Sequence, residues 1–467
     1  MIEAGEIVAT IGPGRRVLVV GLGKSGLAAV RLLKKMGCEV AVSEGSDRKM
    51  IAPGTLKWLE DHGVPLECGG HSEQFCAASE MIVVSPGVPL DIPFLADARR
   101  RAVPILGELG LGAALTETPI IAVTGTNGKS TVTELLGEMF RAAAKSVFVG
   151  GNLGTPLADY LLNQQESEVL ILEVSSFQLD TAPGFAPEVA LLLNISPDHL
   201  DRYADYESYA AAKFAIFAGQ RAGAAAVLNG DDQEINARLG RYPIPANSFF
   251  FGDAPVDRGA GITGSAISVA GVAEEPEVYD LAGTWLAREP NIHNAAAAIL
   301  GARLLGCPAT AVRKALREFR PLAHRLALVA EIDGVQYFDD SKATNIGAVV
   351  AALAGMSRPV VLIGGGRDKG GDYRLLHPAV REKVKGMVLI GEARGKMADS
   401  FRELTRVELA DSLEDAVRVA GRLAQAGDAV LLAPACASFD MFSGYAERGR
   451  VFRRAVGELA EKMEVKE

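Results

Sequence analysis

Residues 124–131 (TGTNGKST) have the types and spacing needed to bind a phosphate group. The apolar run 119–123 before them predicts a strand, and the spacing of apolar residues in 132–144 predicts a helix. A helix start directs unpaired backbone N–H groups and the positive end of the helix dipole at an anion. Glycines let the backbone approach a phosphate closely, and Lys129 adds a positive charge. The stretch therefore predicts a phosphate-binding loop, although Val123 stands where the general pattern has its first glycine.

Groups that could hold Mg²⁺ lie beside this loop in the predicted fold. Ser130 or Thr131 can supply a hydroxyl, and Glu173 ends the apolar run 169–173 with a carboxylate. Mg²⁺ prefers hard oxygen ligands and bridges phosphates, so a carboxylate at a neighbouring strand end is a natural ligand. The alternative interpretation of Glu173 is a side chain that caps the following turn.

The loop 194–203 holds two aspartates, a histidine and an arginine directly after the predicted strand 189–193. A single histidine is more often a packed or surface residue than a ligand. His199 nevertheless follows a strand end, as Glu173 does, and this position favours a metal or substrate role. The predicted Ala-rich helix 206–219 then contains Lys213, which by itself is interpreted as a solvated helix lysine.

A second glycine-rich turn, 21–26 (GLGKSG), lies between the predicted strand 16–20 and the predicted helix 27–36. Glu44 follows the next predicted strand, 39–43. This G-x-G-x-x-G arrangement is typical of dinucleotide binding, and it also suits any nucleotide that carries a diphosphate. The alternative is a tight turn that needs glycine only for packing.

Polar residues also collect after other predicted strands. Ser85 follows the predicted strand 81–84. The last part of the chain alternates helices with strands predicted near 336–338, 359–363, 386–390, 406–409 and 429–432. Its polar stretches are 339–345, 364–369 and 434–438. Because the carboxyl ends of parallel strands share one edge of a sheet, this edge is the expected ligand site.

Length and composition exclude several classes of protein. The chain has 467 residues, which suit about three domains, and its net charge of −10 argues against nucleic acid or an anionic membrane as the main partner. Its five cysteines show no metal-binding spacing, so we expect reduced thiols and a cytoplasmic protein. No run approaches the ~18 apolar residues that span a bilayer, and residues 1–14 do not form a secretory signal.

These patterns predict an α/β protein of three domains. A Rossmann-like N-terminal domain covers 1–107, a central P-loop ATPase-like domain covers 108–320, and a Rossmann-like C-terminal domain covers 321–467, with Pro321 at the second boundary. A dehydrogenase needs only the first domain, and a simple ATPase needs only the second. A ligase that activates a carboxylate of a nucleotide-linked substrate with ATP and joins it to an amine needs all three.

The sequence resembles the Mur ligases of peptidoglycan synthesis over nearly its whole length, and among them the D-glutamate-adding members. The stretches that carry the resemblance are TGTNGKST (124–131), GGNLG (150–154), EVSSFQL (173–179), DHLDRY (198–203), HN (293–294), HR (324–325), DSKATN (340–345) and PACASFDMFSGYAERG (434–449). The first of them is also similar to folylpolyglutamate synthases, whereas EVSSFQL, DHLDRY and DSKATN look specific to the D-glutamate-adding members. No DNPR-like stretch of the diaminopimelate- or lysine-adding members is present.

The resemblance implies an activity and roles for individual residues. D-glutamate would be joined to UDP-N-acetylmuramoyl-L-alanine through an acyl phosphate, with release of ADP and phosphate. The implied ATP contacts are Gly125, Thr126, Asn127, Gly128, Lys129, Ser130, Thr131, Asn294, Arg325 and Asp340. The UDP-substrate contacts would be Lys24, Ser25, Glu44, Ser85, Asn152 and His199. The D-glutamate contacts would be Thr344, Lys369, Ser438 and the backbone at Tyr445.

The resemblance also implies a set of catalytic and metal-binding residues. The catalytic residues would be Lys129, Glu173, His199, Lys213 and Lys342. Two Mg²⁺ ions would be held by Ser130, Glu173, His199 and a carbamylated Lys213. An unmodified ammonium would be repelled by two Mg²⁺ ions, whereas a carbamate is an anionic oxygen ligand that suits them. We expect a monomer that acts on these small molecules in peptidoglycan synthesis, and so in cell shape and cell division.

The chain departs from the family pattern at two places. Ala297 stands where relatives usually have the second asparagine of HNxxN, and Glu44 replaces the commoner aspartate. Three alternatives to a D-glutamate ligase stay open at this point. They are another Mur ligase or a folylpolyglutamate synthase, a nucleotide-dependent dehydrogenase that uses 21–26, and a nucleotide-switched binding protein that hydrolyses ATP without ligation.

Overall fold

The fold is described from a computed structural model, which covers residues 4–164, 166–200, 202–242, 244, 247–253, 256–320 and 322–464. Asp201 and the predicted boundary residue Pro321 lie outside these residues. The chain divides into two compact units. The first contains Met1–Asn194, Ala210–Asp280 and Asn294–Arg317, and the second contains Ile195–Tyr209, Leu281–His293 and Glu318–Glu467. The three predicted domain ranges stay predictions.

The first unit begins with a five-stranded parallel sheet. Its strands are β1 (Arg16–Val20), β2 (Glu39–Glu44), β3 (Leu66–Cys68), β4 (Met81–Val84) and β5 (Ile105–Gly107), in the order β3-β2-β1-β4-β5. The accompanying helices are α1 (Ala4–Ala9), α2 (Lys24–Lys35), α3 (Pro53–Asp61), α4 (Glu73–Cys76), α5 (Pro93–Arg100) and α6 (Glu108–Ala114). A short 3₁₀ turn covers Arg48–Met50. The apolar residues of β1 and β4 are buried on both faces, as in a sheet with helices on either side.

A nine-stranded sheet forms the rest of the first unit. Its strands are β6 (Ile120–Thr124), β7 (Val147–Gly151), β8 (Val169–Glu173), β9 (Val189–Leu192), β10 (Ala225–Asn229), β11 (Asn247–Gly252), β12 (Gly259–Thr263), β13 (Ala266–Ala270) and β14 (Glu277–Asp280). The order is β14-β13-β12-β11-β10-β9-β6-β8-β7, parallel from β7 to β12 and antiparallel from β12 to β14.

The helices in this part of the chain connect or follow those strands. They are α7 (Lys129–Ala142), α8 (Leu157–Leu162), α9 (Ser176–Leu179), α10 (Tyr206–Phe214), α11 (Gln233–Asn236), α12 (Asn291–Leu304) and α13 (Ala309–Glu318). Two 3₁₀ turns cover Ala215–Phe217 and Trp285–Ala287. The residues of β6, β8 and β9 are all buried, so the strands next to the predicted phosphate loop form a rigid core that positions the loops at their ends.

The second unit contains a six-stranded sheet. Its strands are β15 (Ala327–Ile332), β16 (Val335–Asp339), β17 (Val360–Gly365), β18 (Val384–Ile390), β19 (Arg406–Leu409) and β20 (Ala429–Leu432), in the order β15-β16-β20-β17-β18-β19. Among these described strands, only the β15–β16 pair is antiparallel. The helices are α14 (Ile346–Ala354), α15 (His377–Lys383), α16 (Arg394–Phe401), α17 (Leu413–Leu423) and α18 (Tyr445–Glu464), with a 3₁₀ turn at Tyr373–Leu376.

The predicted α/β class and its parallel sheets are confirmed, but several element bounds were wrong. Helix α7 begins at Lys129 rather than residue 132, and α2 begins at Lys24 rather than residue 27. Apolar periodicity misses these first turns because they begin with lysine, serine and threonine, which carry no apolar signal whether they are buried or exposed. The predicted helix 206–219 ends at Phe214 and continues as a 3₁₀ turn. The antiparallel edge strand β15 was not predicted.

None of the helices in the described part of the chain combines the length and the low charge that a membrane-crossing helix needs.

Candidate active site

The phosphate loop lies between β6 and α7, as its sequence predicts. Gly128 precedes the helix with φ +86°, a left-handed conformation that glycine adopts without strain, and a Cβ there would collide with the amide oxygen of Asn294. Asn194 holds the loop in place. Its carbonyl accepts a hydrogen bond from Thr126 N (3.0 Å), and its side-chain oxygen accepts one from Asn127 N (2.8 Å). Gly125, Thr126, Asn127 and Gly128 therefore form an ordered turn with Asn294 beside it.

The side chain of Lys129 crosses this loop. Its Nζ donates to the carbonyl oxygens of Gly125 (2.8 Å) and Thr126 (2.9 Å). A positive charge is thereby held over backbone that ends at a helix N-terminus, where anions are favoured. Thr131 is buried in the first turn of α7.

Glu173, Ser130 and Asn152 form a hydrogen-bonded cluster next to the loop. The Ser130 Oγ donates to Glu173 Oε2 (2.6 Å), and the Asn152 Nδ2 donates to Glu173 Oε1 (2.8 Å). Ser130 is 1% exposed and Glu173 is 3% exposed. The register of the sheet explains why Glu173 contacts both Ser130 and Asn152. Glu173 pairs with Val123 of β6, which leads to the phosphate loop, and with Gly151 of β7, which precedes Asn152. Three strand ends thus place a carboxylate against the first turn of α7.

Lys213 lies against the same loop, so its interpretation as a solvated helix lysine was wrong. The residue is 2% exposed, and its Nζ donates to the Gly125 carbonyl (2.9 Å). The sequence pattern missed this burial because α10 is Ala-rich and shows little amphipathic contrast. Within the first unit, the structure therefore brings together Lys129, Ser130, Glu173, Asn152, Lys213 and Asn294.

The second glycine-rich turn follows β1 and opens α2. The Ser85 Oγ donates to the Gly21 carbonyl (2.8 Å), and a Cβ on Gly26 would collide with both groups. Glu44 accepts from Leu22 N (2.6 Å) and Ser46 N (2.8 Å). Burial raises the pKa of the Glu44 carboxyl, but these backbone donors outweigh it and hold the pKa below its usual value. The turn is thus fixed by side chains from the ends of β2 and β4.

Lys24 and Ser25 occupy the first turn of α2. The Lys24 Nζ donates to the carbonyl of Gly154, in the same loop that holds Asn152. Two predicted UDP-substrate residues of the first unit are therefore close to one loop: Asn152 belongs to it, and Lys24 donates to its backbone. Glu44 and Ser85 hold the glycine turn itself.

In the second unit, Lys369 and His199 both face Asp198. The Lys369 Nζ lies 3.2 Å from Asp198 Oδ1, and the Asn345 Nδ2 donates to Asp198 Oδ2 (2.9 Å). His199 Nε2 lies 3.6 Å from the same carboxylate, and the φ of His199 is +55°, which is uncommon for a residue other than glycine. Burial raises the pKa of the Asp198 carboxyl, but the charges of Lys369 and His199 and the Asn345 amide hold it below its usual value.

Arg325 and Asp340 lie near each other in the second unit. Asp340 Oδ1 accepts from Leu326 N (3.2 Å). Burial raises the pKa of the Asp340 carboxyl to about 7, against the lowering effect of the Arg325 guanidinium. The neighbouring Asp339 accepts from His324 Nδ1 (2.8 Å) and from Arg453 Nε (2.9 Å).

The remaining predicted residues lie in the segments that follow β16 and β20. The Lys342 Nζ lies 5.2 Å from the centre of the Tyr445 ring, a cation–π distance, and Tyr445 begins α18. The backbone N–H of Thr344 donates to the Lys342 carbonyl (2.9 Å). Ser438 is buried.

Three residues that contact these groups were not among the predicted site residues. Asp198 pairs with Lys369, Asn345 donates to Asp198, and Asn194 holds the phosphate loop. Asp198 and Asn345 lie in the motifs DHLDRY and DSKATN, so their sequence signal was present without an assigned role. Asn194 directly follows an apolar strand, and this position was its only signal.

Comparison with known families covers most of the chain. The model for the Mur ligase MurD-like N-terminal domain matches residues 15–107, and the model for the Mur ligase middle domain matches 123–301. The model for the Mur ligase glutamate ligase domain matches 324–436.

Curated relatives match over nearly their whole length. A UDP-N-acetylmuramoylalanine--D-glutamate ligase from Syntrophotalea carbinolica is 42% identical, with 96% of this chain and 98% of the relative covered. A protein of the same name from Desulfotalea psychrophila is 44% identical, with 94% and 95% covered.

Solved structures of low identity share the fold. A pseudomurein peptide ligase type C from Methanothermus fervidus aligns with a TM-score of 0.61 at 16% identity, covering 96% of this chain and 100% of that one. A MurF ligase from Thermotoga maritima in complex with ADP aligns with a TM-score of 0.57 at 19% identity, covering 98% of both. With relatives above 40% identity over nearly the full length, the chain belongs to the Mur ligase family, in the group named UDP-N-acetylmuramoylalanine--D-glutamate ligases.

Proposed function

We propose that this protein is an ATP-dependent ligase that adds D-glutamate to UDP-N-acetylmuramoyl-L-alanine. The observation that carries the proposal is the buried contact between Ser130 and Glu173 beside an ordered phosphate loop. A dehydrogenase has no use for that cluster. The names of the curated relatives support the substrate assignment.

The first step is phosphoryl transfer to the substrate carboxylate. A carboxylate oxygen attacks the γ-phosphorus of ATP, the bond from that phosphorus to the ADP oxygen breaks, and an acyl phosphate forms. Little covalent work falls to the protein, so positioning and charge neutralisation dominate. The loop N–H groups and Lys129 stabilise the phosphates, while Asn294, Arg325 and Asp340 hold the adenosine part.

Ser130 and Glu173 form a donor set that fits Mg²⁺, since both are hard oxygen donors and their oxygens lie 2.6 Å apart beside the loop. When bound, Mg²⁺ neutralises charge that builds up on the transferred phosphoryl group. We propose that Ser130, Glu173, His199 and the Lys213 carbamate hold two such ions.

The carbamate on Lys213 is a proposal supported by where the side chain lies. Its Nζ is buried and 2.9 Å from the Gly125 carbonyl, so an anionic oxygen attached to it would stand beside the phosphate loop. The modification forms when the neutral amine attacks the carbon of CO₂ and loses a proton. After incubation with ¹³C-labelled bicarbonate, we expect a carbamate ¹³C resonance in the wild type that Lys213→Ala lacks. The same spectrum from both proteins would refute the modification.

The second step joins the amine to the activated carbon. The amine nitrogen attacks the acyl carbon and a tetrahedral oxyanion forms. The bond from that carbon to the phosphate oxygen then breaks, phosphate leaves with the electron pair, and the nitrogen loses a proton to solvent to give the amide. Lys369 and Thr344 are proposed to hold the α-carboxylate of D-glutamate, and Ser438 with the backbone of Tyr445 its side-chain carboxylate. Lys342, near Tyr445, supplies a positive charge close to the reacting groups.

The UDP substrate is proposed to bind at the first sheet. Its diphosphate would meet the turn that opens α2, where Lys24 and Ser25 lie and where Glu44 and Ser85 hold the backbone. Asn152, in the loop that Lys24 contacts, would reach the same substrate. We further propose that the protein acts as a monomer, because each proposed group comes from this one chain. A cytoplasmic location is proposed from the pattern of its cysteines.

Phosphate release from Mg²⁺-ATP and UDP-N-acetylmuramoyl-L-alanine tests the function. The assay is run with D-glutamate, L-glutamate, L-lysine, diaminopimelate or no amino acid. We expect release that depends on D-glutamate, that Glu173→Gln nearly abolishes, and that the exposed control Glu138→Gln leaves unchanged. Release that depends on another amino acid would overturn the substrate, and release indifferent to every amine would overturn ligation.

A further inference from the structure

Two loops of the second unit carry the groups proposed to hold the carboxylates of D-glutamate. Lys369 follows β17, and Ser438 follows β20. Arg367 and Ala437 join these loops through two backbone hydrogen bonds, of 2.9 and 3.1 Å. The two anion-binding groups are therefore carried by one connected pair of loops, whose relative position sets how far apart two carboxylates can be held.

The hydroxyl of Tyr373 makes a second connection between the loops. It donates to Asp368 Oδ1 (2.9 Å) and lies 3.2 Å from the Cys436 Sγ. Since that hydroxyl donates to Asp368, it is placed to accept a hydrogen bond from the Cys436 thiol. Tyr373 is 4% exposed and Cys436 is fully buried, so their contact lies away from water, whereas the contact with Asp368 is partly buried. One hydroxyl thus contacts the residue before Lys369 and a residue two positions before Ser438.

The Asp368 carboxylate accepts two further hydrogen bonds, one from the residue after Lys369 and one from a lysine of α16. Its Oδ1 also accepts from Gly370 N (3.1 Å), and its Oδ2 accepts from Lys396 Nζ (2.6 Å). The backbone that carries Lys369 is therefore held by the Asp368 carboxylate, which the Tyr373 hydroxyl and the Lys396 ammonium hold in turn. None of these groups has a role in the proposed chemical steps.

We propose that Tyr373 is a positioning residue that sets the separation between Lys369 and Ser438. It thereby makes the site select a dicarboxylic amino acid of glutamate length over the shorter aspartate. The inference rests on the proposed function, because it takes D-glutamate as the occupant of this site.

Steady-state kinetics of the full-length Tyr373→Phe variant test the inference. Loss of the hydroxyl that bonds Asp368 and contacts Cys436 predicts a rise of about fivefold in the KM for D-glutamate, with kcat and the KM values for ATP and the UDP substrate within about twofold of wild type. The preference for D-glutamate over D-aspartate should fall by a similar factor. Cys436→Ser keeps a donor toward the tyrosine and should retain the wild-type KM, whereas Cys436→Ala should raise it.

The control is Tyr337→Phe, which removes a hydroxyl from another buried tyrosine of the second unit, on β16. If Tyr373→Phe does not fold, Asp368→Ala removes the acceptor of the same hydrogen bond from a partly exposed position and carries the same expectation. A D-glutamate-dependent wild type with an unshifted KM in the variant would overturn the inference alone. Wild-type turnover that ignores D-glutamate would overturn the proposed function and this inference with it.

Discussion

The phosphate loop and the edge of the third sheet are both proposed ligand sites at strand ends, yet they are built differently. At the phosphate loop, the groups proposed to bind the anion are mostly backbone N–H groups and the Lys129 side chain. Eight consecutive residues supply them. At the third sheet, Asp198, Asn345 and Lys369 come from three separate stretches and meet through side chains. The first site depends on a local turn, whereas the second depends on how distant segments pack.

This difference governs how each site should respond to mutation. A backbone-based site loses its function when its charge is removed but keeps its shape, because the turn is held by Asn194 and by Gly128. A site made of paired side chains couples binding to stability, because removing one partner leaves the other buried charge uncompensated. The four changes below test that contrast, from the largest expected effect to the smallest.

Lys129→Ala should cause the largest loss. Removing the charge held over the phosphate loop should lower kcat for D-glutamate-dependent phosphate release by about 10³-fold, while the melting temperature stays within about 2 °C. The exposed Lys145→Ala is the matched control, since this lysine pairs with Glu168 beyond the C-terminal end of α7. A large loss of stability in Lys129→Ala would contradict the proposed difference between the two sites, because it would show that the loop needs this side chain to keep its shape.

Lys369→Ala should act on a different kinetic constant. Loss of a charge-assisted contact to a substrate carboxylate predicts a KM for D-glutamate raised by roughly 10- to 100-fold, with the KM for ATP little changed. Lys383→Ala, in the last turn of α15, serves as the control. Equal effects on the KM values of ATP and D-glutamate would argue that Lys369 does not recognise the amino acid.

Asp198→Asn should lower stability in a pH-dependent way. The folded-state pKa of Asp198 lies below its usual value, so its stabilisation is complete above that usual value, near 3.9, and is lost as the pH falls through the folded-state pKa. We expect the variant to lose about 3 kcal/mol of unfolding free energy at pH 7. Urea titrations should show that difference shrinking toward pH 3. A difference independent of pH would mean that shape rather than charge stabilises the pair.

Asp340→Asn should show the opposite pH trend with a smaller effect. The folded-state pKa of this buried carboxyl is about 7, above its usual value, so wild-type stability falls as the pH rises from about 4 to 7. The variant should therefore gain roughly 1 to 2 kcal/mol over wild type at pH 8 and no advantage at pH 4. Arg325 loses its counter-charge in the variant, which limits the gain. A variant that is less stable at pH 8 would show that the Arg325 contact outweighs burial.

Prediction from sequence succeeded where local chemistry carries the signal. The strand–loop–helix around Lys129, the turn at 21–26 and the carboxylate at the end of β8 all follow from consecutive residues. It failed for Lys213, because an Ala-rich helix gives no sign of which face is buried. It also gave no role to Asp198, because only packing shows which distant charge a carboxylate meets.

The sequence by itself determined the α/β class, the phosphate loop, the glycine turn and the family, since these depend on short-range patterns and on motifs read directly from the chain. The tertiary structure alone decided that Lys213 is buried against Gly125, that Glu173 meets both Ser130 and Asn152, and that Tyr373 links two loops. The physical reason is distance along the chain. A local turn is encoded by its own residues, but a contact between segments tens or hundreds of residues apart exists only after strands align in register and their ends meet.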